Sequence, residues 1–223
     1  MSPTFRALRT FNYRLWAAGS IVSNVGTWMQ RVAQDWLVLT VLTDHSAAAV
    51  GITTGLQFLP VLLLAPFAGV LADRLPKRRL MLATQSAMGV VGLVLGLLVV
   101  TGQAQLWHAY ACALALGVVQ AFDSPARQSF VSEMVPREDL SNAVGLNSAS
   151  FHAARIIGPG IAGLLIAWVG TGPVFLVNAA TFAGTLFSLT HMRVHELRPA
   201  PRQRAKGRCA RASPTCAVVP TSC

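Results

Sequence analysis

Charge is what this chain has least of. Asp, Glu, Lys and Arg make up 12% of its 223 residues, against about a quarter in an ordinary soluble domain, while 53% of the residues are hydrophobic. A solvated globular domain is excluded, and the chain belongs in a membrane. Acidic residues are scarcer than basic ones, 8 against 18, for a net charge of +10. Such a surplus points to nucleic acid only where the cations gather on one solvated face; here they sit between apolar runs, so no nucleic-acid partner is expected. Cysteine is sparse too. Cys112 lies in an apolar run and Cys209, Cys216 and Cys223 in a polar tail, an arrangement from which no structural disulfide is expected. Two catalytic patterns are missing: a Gly-x-Ser-x-Gly-like nucleophile with a His on a facing span, and a Walker-type phosphate loop. His191 and His195 have ligand spacing without a third ligand. No enzyme, catalytic residue, cofactor or metal site is expected.

What the chain has is long apolar runs. A helix needs about 20 apolar residues to cross a bilayer, and residues 15–42, 47–72, 80–101, 105–124, 141–169 and 172–192 qualify as six candidate spans. Lys and Arg mark the cytoplasmic side of such spans. Arg6, Arg9 and Arg14 precede the first span; Arg74, Lys77, Arg78 and Arg79 follow the second; Arg127 and Arg137 follow the fourth; further cations follow the sixth. The three opposite loops, around Asp44, Gly102 and Gly170, contain no Lys or Arg. This pattern predicts a plasma (inner) membrane protein with both termini in the cytoplasm. The basic N-terminus is followed by a span too long and too polar for a cleavable signal.

Three domains follow. Residues 1–14 form a cytoplasmic lead that lies along the membrane surface; residues 15–193 form the transmembrane domain; residues 194–223, rich in Arg, Pro, Ala, Ser and Thr, form a basic disordered tail that cannot bury enough to fold. Residues 125–140, the one internal segment of mixed charge, read as a cytoplasmic connector with a partial helix.

Charges inside a span are rare and mark substrate or proton pathways. Arg31 and Asp35, four residues apart on one helical face, lie about 25 to 30 Å along the first span from Arg14. Either they form an internal ion pair that only orients the helix, or Asp35 carries a proton. Arg155 lies about 20 Å into the fifth span, at a comparable depth. With Arg31 and Asp35 it leaves one surplus positive charge, suited to an anionic or polyphenolic substrate; the competing account has it satisfy carbonyls freed by Pro159. Asp123 and Arg127, one turn apart across Pro125, shape the end of the fourth span.

The run from Gly69 through Asp73, Arg74, Lys77, Arg78 and Arg79 breaks the apolar pattern with an acid and then four cations. Its order and spacing resemble the signature loop between the second and third helices of major facilitator superfamily transporters. Residues 26–36, 120–127 and 142–163 are similar to the enterobactin-exporter-like branch, and Gly158, Pro159, Ala162 and Gly163 resemble the helix-five motif of proton-coupled exporters.

The resemblance covers roughly residues 5–193. It implies an all-α membrane protein whose six transmembrane helices form the N-terminal half of a twelve-helix fold, built as a 3+3 inverted repeat; Ala65 to Gly69 echoing Gly158 to Gly163 is a trace of that repeat. It implies proton-coupled efflux of a siderophore or hydrophobic drug, with no bound prosthetic group. Asp35 is then the proton-coupling candidate, Arg31 and Arg155 substrate-pathway candidates, and Gly69, Asp73, Arg74, Arg78 and Arg79 a gating loop whose acid latches onto the opposite half; topogenic charges with no gating role are the alternative. Gly158, Pro159 and Gly163 form a hinge motif. The expected partners are the lipid bilayer, a small-molecule substrate, a proton, and a second half, either a homodimer partner or a separate C-terminal half. The alternative is a non-transporting truncated remnant, or a membrane partner of an intact transporter.

Overall fold

The structure is a computed structural model that describes residues 3–197, apart from the side chains of Pro3, Thr4 and Asp73. Nearly all of the expected tail, residues 198–223, lies outside the described residues. Six long helices and no strand are found among those described: α1 (Phe11–Leu37), α2 (Ala47–Arg74), α3 (Lys77–Val100), α4 (Leu106–Met134), α5 (Leu140–Val169) and α6 (Thr171–Thr190).

The first helix begins four residues before the expected boundary, because its opening turn is tied down. The Asn12 side chain donates to the Arg193 carbonyl at 2.9 Å and accepts the Arg193 N–H at 2.9 Å. The Tyr13 hydroxyl donates to the Ala143 carbonyl at 2.9 Å, and Tyr13 and Trp16 are fully buried. The lead before it is a short 3-10 segment, Pro3–Arg9, in which Ala7 is buried and donates its N–H to Asn142 Oδ1 at 3.1 Å. At its far end α1 loosens into a π-type turn, Val38–Leu42. Ser46 then caps α2, its hydroxyl oxygen accepting the Ala49 N–H at 3.3 Å, as short hydroxyl side chains do at helix starts.

The partial helix expected within 125–140 is a continuation of α4, which lengthens that helix beyond the expected limit at 124. α4 runs through Pro125 to Met134. A proline inside a helix removes one backbone hydrogen bond, but Ala126, Phe130, Val131 and Met134 are all buried in the core. Their spacing puts one apolar face against the bundle, and that burial outweighs the lost bond. Only Val135 to Asp139 separates α4 from α5.

α1 packs against α5 and α6, α4 against α2 and α3, and α3 against α6. Exchanging the first three helices with the last three maps this pattern onto itself. One core cluster, with Trp16, Met81, Phe130 and Leu189, fills the end of the bundle near the α2–α3 turn; another, with Met29, Leu37, Leu95 and Phe175, fills the opposite half. Of the six expected spans, four helices are long and apolar enough to cross a membrane: α2, α3, α5 and α6. α1 and α4 fall short because they carry polar side chains, and they turn many of these inward: Ser20, Asn24, Gln30, Gln34 and Asp123 are all buried. The outward apolar surface is greatest on α2 and α5, where Leu62, Phe67, Ile156 and Trp168 are each more than 70% exposed.

Candidate functional site

Two charged clusters lie inside the bundle. The first is centred on α4. Asp123, 1% exposed, has both oxygens engaged: Oδ1 accepts from the Thr84 hydroxyl at 2.6 Å and the Gln85 amide at 2.8 Å, and Oδ2 accepts from Arg127 Nε at 3.3 Å and Nη2 at 3.1 Å. Arg127 Nη1 in turn donates to Ser20 Oγ and, at 3.2 Å, to Asn24 Oδ1. One ion pair on α4 therefore bolts α1 and α3 together. Sequence reading saw the pair and missed its four partners, although Ser20 and Asn24 stand one turn apart in an apolar span.

The second cluster brings Arg31, Asp35 and Arg155 into one neighbourhood, on different terms from an ion-paired triad. The Arg31 guanidinium lies 4.9 Å from the centre of the Trp28 ring and 4.6 Å from that of Phe58. Arg155 lies 5.4 Å from the same indole. Cations over aromatic faces are held by the ring quadrupole, and Trp28 here serves two of them. Among the described residues Asp35 forms no salt bridge with either arginine, and its Oδ1 is buried without a hydrogen-bond partner. Arg155 donates to no carbonyl freed by Pro159 among the hydrogen bonds of the described residues, and α5 runs unbroken through that proline.

Between the clusters lie two small cavities of about 20 Å³ each. They share the walls Thr27, Arg31, Met88 and Gln120. The first also meets Gln30 and Gln57, the second Asn24, Trp28 and Asp123.

The signature loop has two cations in structural use. Lys77 pairs with Glu133 of α4 at 2.9 Å. Arg78 donates from Nε to the Leu189 carbonyl at 2.8 Å, and more weakly from Nη2 to Thr190 at 3.4 Å, which places a cation on the unpaired carbonyls ending α6. Arg74 and Arg79 are exposed. Gly69 has open space where a side chain would begin, and the Asp73 side chain is outside the description. In the helix-five motif Gly158 is the close-contact residue: a Cβ there would stand 2.6 Å from Trp28 Cβ and 3.0 Å from the Val25 carbonyl. Gly163 faces open space.

Residues 2–211 match the family model described as transmembrane secretion effector. The chain is 30% identical over 166 residues to the staphyloferrin A transporter of Staphylococcus aureus, an alignment covering 74% of this chain and 41% of that protein. It is 31% identical over 157 residues to the multidrug resistance protein MdtG of Serratia proteamaculans, covering 70% and 36%, and 28% identical over 169 residues to the uncharacterized MFS-type transporter YfiS of Bacillus subtilis, covering 74% and 38%. The chain spans about two fifths of the length of these curated relatives. With its apolar helices and its matched family model, the chain belongs to the major facilitator superfamily of multi-pass membrane transporters, in the transmembrane secretion effector family.

Proposed function

We propose that this chain acts as one six-helix half of a proton-coupled exporter in the plasma (inner) membrane, with both termini in the cytoplasm. All six helices cross the bilayer, α1 and α4 with their polar faces inward, which is where intramembrane polar groups are tolerated. The basic clusters on one set of loops support this orientation. The packing pattern that survives exchange of α1 to α3 with α4 to α6 supports a 3+3 inverted repeat. The exposed faces of α2 and α5, with Gly51, Gly55, Gly160 and Gly163 opening onto empty space, are where a second half docks, supplied by another copy of this chain or by a separate C-terminal half. On this reading Gly69, Asp73, Arg74, Arg78 and Arg79 gate the hairpin end against that half, and Gly158, Pro159 and Gly163 let α5 flex. The cargo is a small molecule, a siderophore or a hydrophobic drug, as the names of the relatives suggest.

The observation that carries proton coupling is the condition of Asp35. Its neighbour Arg31 is held on two aromatic rings, and one carboxylate oxygen has no partner. A buried carboxylate held in a salt bridge keeps its charge; one without a partner is free to take up and release a proton. The test is ethidium export in everted membrane vesicles energised by an imposed pH gradient. Wild-type chain moves ethidium and discharges the gradient, and Asp35→Asn does neither. Asp35→Asn exporting at the wild-type rate overturns the coupling role. Native mass spectrometry in nanodiscs tests the second half: a dimer fits self-assembly, and a lone monomer without vesicle activity favours a non-transporting membrane protein.

A further inference from the structure

We infer that the two neighbouring cavities within this half form a recognition site for the carboxylate group of an anionic organic substrate, made by the side-chain amides of Asn24, Gln30 and Gln57 and the guanidinium of Arg31. The inference rests on the exporter reading only in calling that carboxylate a substrate's.

Three buried amide nitrogens in these walls have no hydrogen-bond partner: Asn24 Nδ2, Gln30 Nε2 and Gln57 Nε2. The residues are 6%, 2% and 3% exposed. Leaving a buried N–H unpaired costs free energy, so three in one place call for an acceptor. One of the amides cannot relieve the shortage by turning over, because a donor on its other side fixes it. Asn24 must present Oδ1 to the Arg127 guanidinium, which has only N–H groups to offer. Gln30 Oε1 lies against the Asn178 amide nitrogen, while the single Thr181 hydroxyl proton goes to the Asn178 main-chain carbonyl at 2.7 Å. The Arg127 guanidinium thus keeps the Asn24 amide nitrogen unpaired in the wall of the second cavity.

Charge and size narrow the acceptor. Arg31 lines both cavities and forms no salt bridge among the described residues; with Asp35 one turn away on α1 and Arg155 over the same indole, one positive charge is left over. The acid in the wall, Asp123, does not cancel it, since both of its oxygens are taken by Thr84, Gln85 and Arg127. Each cavity holds about 20 Å³, enough for one water-sized group. Two adjoining water-sized spaces, one beside Gln30 and Gln57 and the other beside Asn24, with a guanidinium bordering both, suit the two oxygens of one carboxylate. Trp28 and Phe151 border the second cavity and offer flat apolar surface to the rest of the molecule.

The experiment is equilibrium binding of [14C]benzoate to the purified full chain in nanodiscs, with benzamide as the neutral competitor of the same shape. Benzoate is expected to bind saturably and benzamide to fail as a competitor. Arg31→Met should weaken benzoate binding by about tenfold or more, in line with losing a charge-assisted contact. Gln57→Met guards against a folding artefact, since it removes an amide that bonds to nothing nearby: binding should fall about threefold or more while the melting temperature without benzoate stays level or rises. Benzamide competing as well as benzoate, or both variants binding like wild type, overturns the site. Neither a proton gradient nor a second half is needed. Intact benzoate binding in a chain that exports nothing would therefore sink the exporter reading alone, and export without benzoate binding would sink this site alone.

Discussion

Asp123 and Asp35 are both acids on inward-facing helices, and they end in opposite conditions. Asp123 accepts hydrogen bonds from three side chains on two helices and is paired with Arg127. Asp35 has a buried oxygen with no partner, and the nearest arginine on its own helix, Arg31, lies on Trp28 and Phe58. A buried charge with every lone pair taken is fixed and serves the fold; one left short is available to something that comes and goes. The same distinction separates Arg127, which is spent on Asp123, Ser20 and Asn24, from Arg31, which forms no salt bridge among the described residues.

The sharpest way to break this comparison is to make the same change at both acids. Asp123→Asn leaves Arg127 buried and unneutralised between α1 and α4, and removal of one partner from a buried ion pair costs about 3 to 5 kcal/mol. The expected result is a large drop in melting temperature in detergent, or failure to recover a monodisperse protein. An Asp123→Asn chain melting within a degree or two of wild type would show that the network bolts nothing.

Gly158→Ala comes next. The new methyl would stand 2.6 Å from Trp28 Cβ and 3.0 Å from a main-chain oxygen of α1, atoms that move only if the helices part. Overpacking of this kind costs about 1 to 3 kcal/mol. It also pushes on the indole that carries Arg31 and Arg155, so benzoate binding should weaken together with thermal stability. A stable Gly158→Ala chain with normal binding would place the α1–α5 contact elsewhere.

The helices were largely legible in the sequence, because apolar run length follows from what a helix needs to cross a bilayer. Five of the six helices lie close to their expected limits. The fourth did not, since the period of Ala126, Phe130 and Met134 was overruled by Pro125 and by the mixed charge around it; burial decided that segment, and burial is a property of the assembled bundle. The site was legible in part. Arg31, Asp35 and Arg155 stand out as charges within spans, and they do come together. What no spacing reveals is that Arg31 lies over aromatic rings, or that Arg127 sets which way Asn24 points. The latter depends on side chains more than 100 positions apart in the chain.

Gly163 offers a smaller test, as the counterpart of Gly158 on the same helix. Nothing stands where its Cβ would be, so Gly163→Ala should stabilise the isolated chain by up to about 1 kcal/mol through helix propensity alone. If α5 receives a helix of a second half there, the same methyl should lower the fraction of dimer seen by native mass spectrometry while the monomer's melting temperature rises. Both quantities moving together would show that no helix docks on that face.

The smallest change in stability is expected at Asp35, and it completes the comparison with Asp123. Asparagine keeps the shape of the side chain, takes no salt bridge away because none is formed among the described residues, and replaces an unpaired buried oxygen with an amide. The melting temperature of Asp35→Asn should stay close to that of wild type, a difference of about 0.5 kcal/mol or less, while gradient-driven ethidium export is lost. The separation matters more than either number. An acid that matters to the fold loses stability and activity together, whereas an acid that only carries a proton loses activity alone; if Asp35→Asn melts as far below wild type as Asp123→Asn does, the two clusters are of one kind and Asp35 is structural.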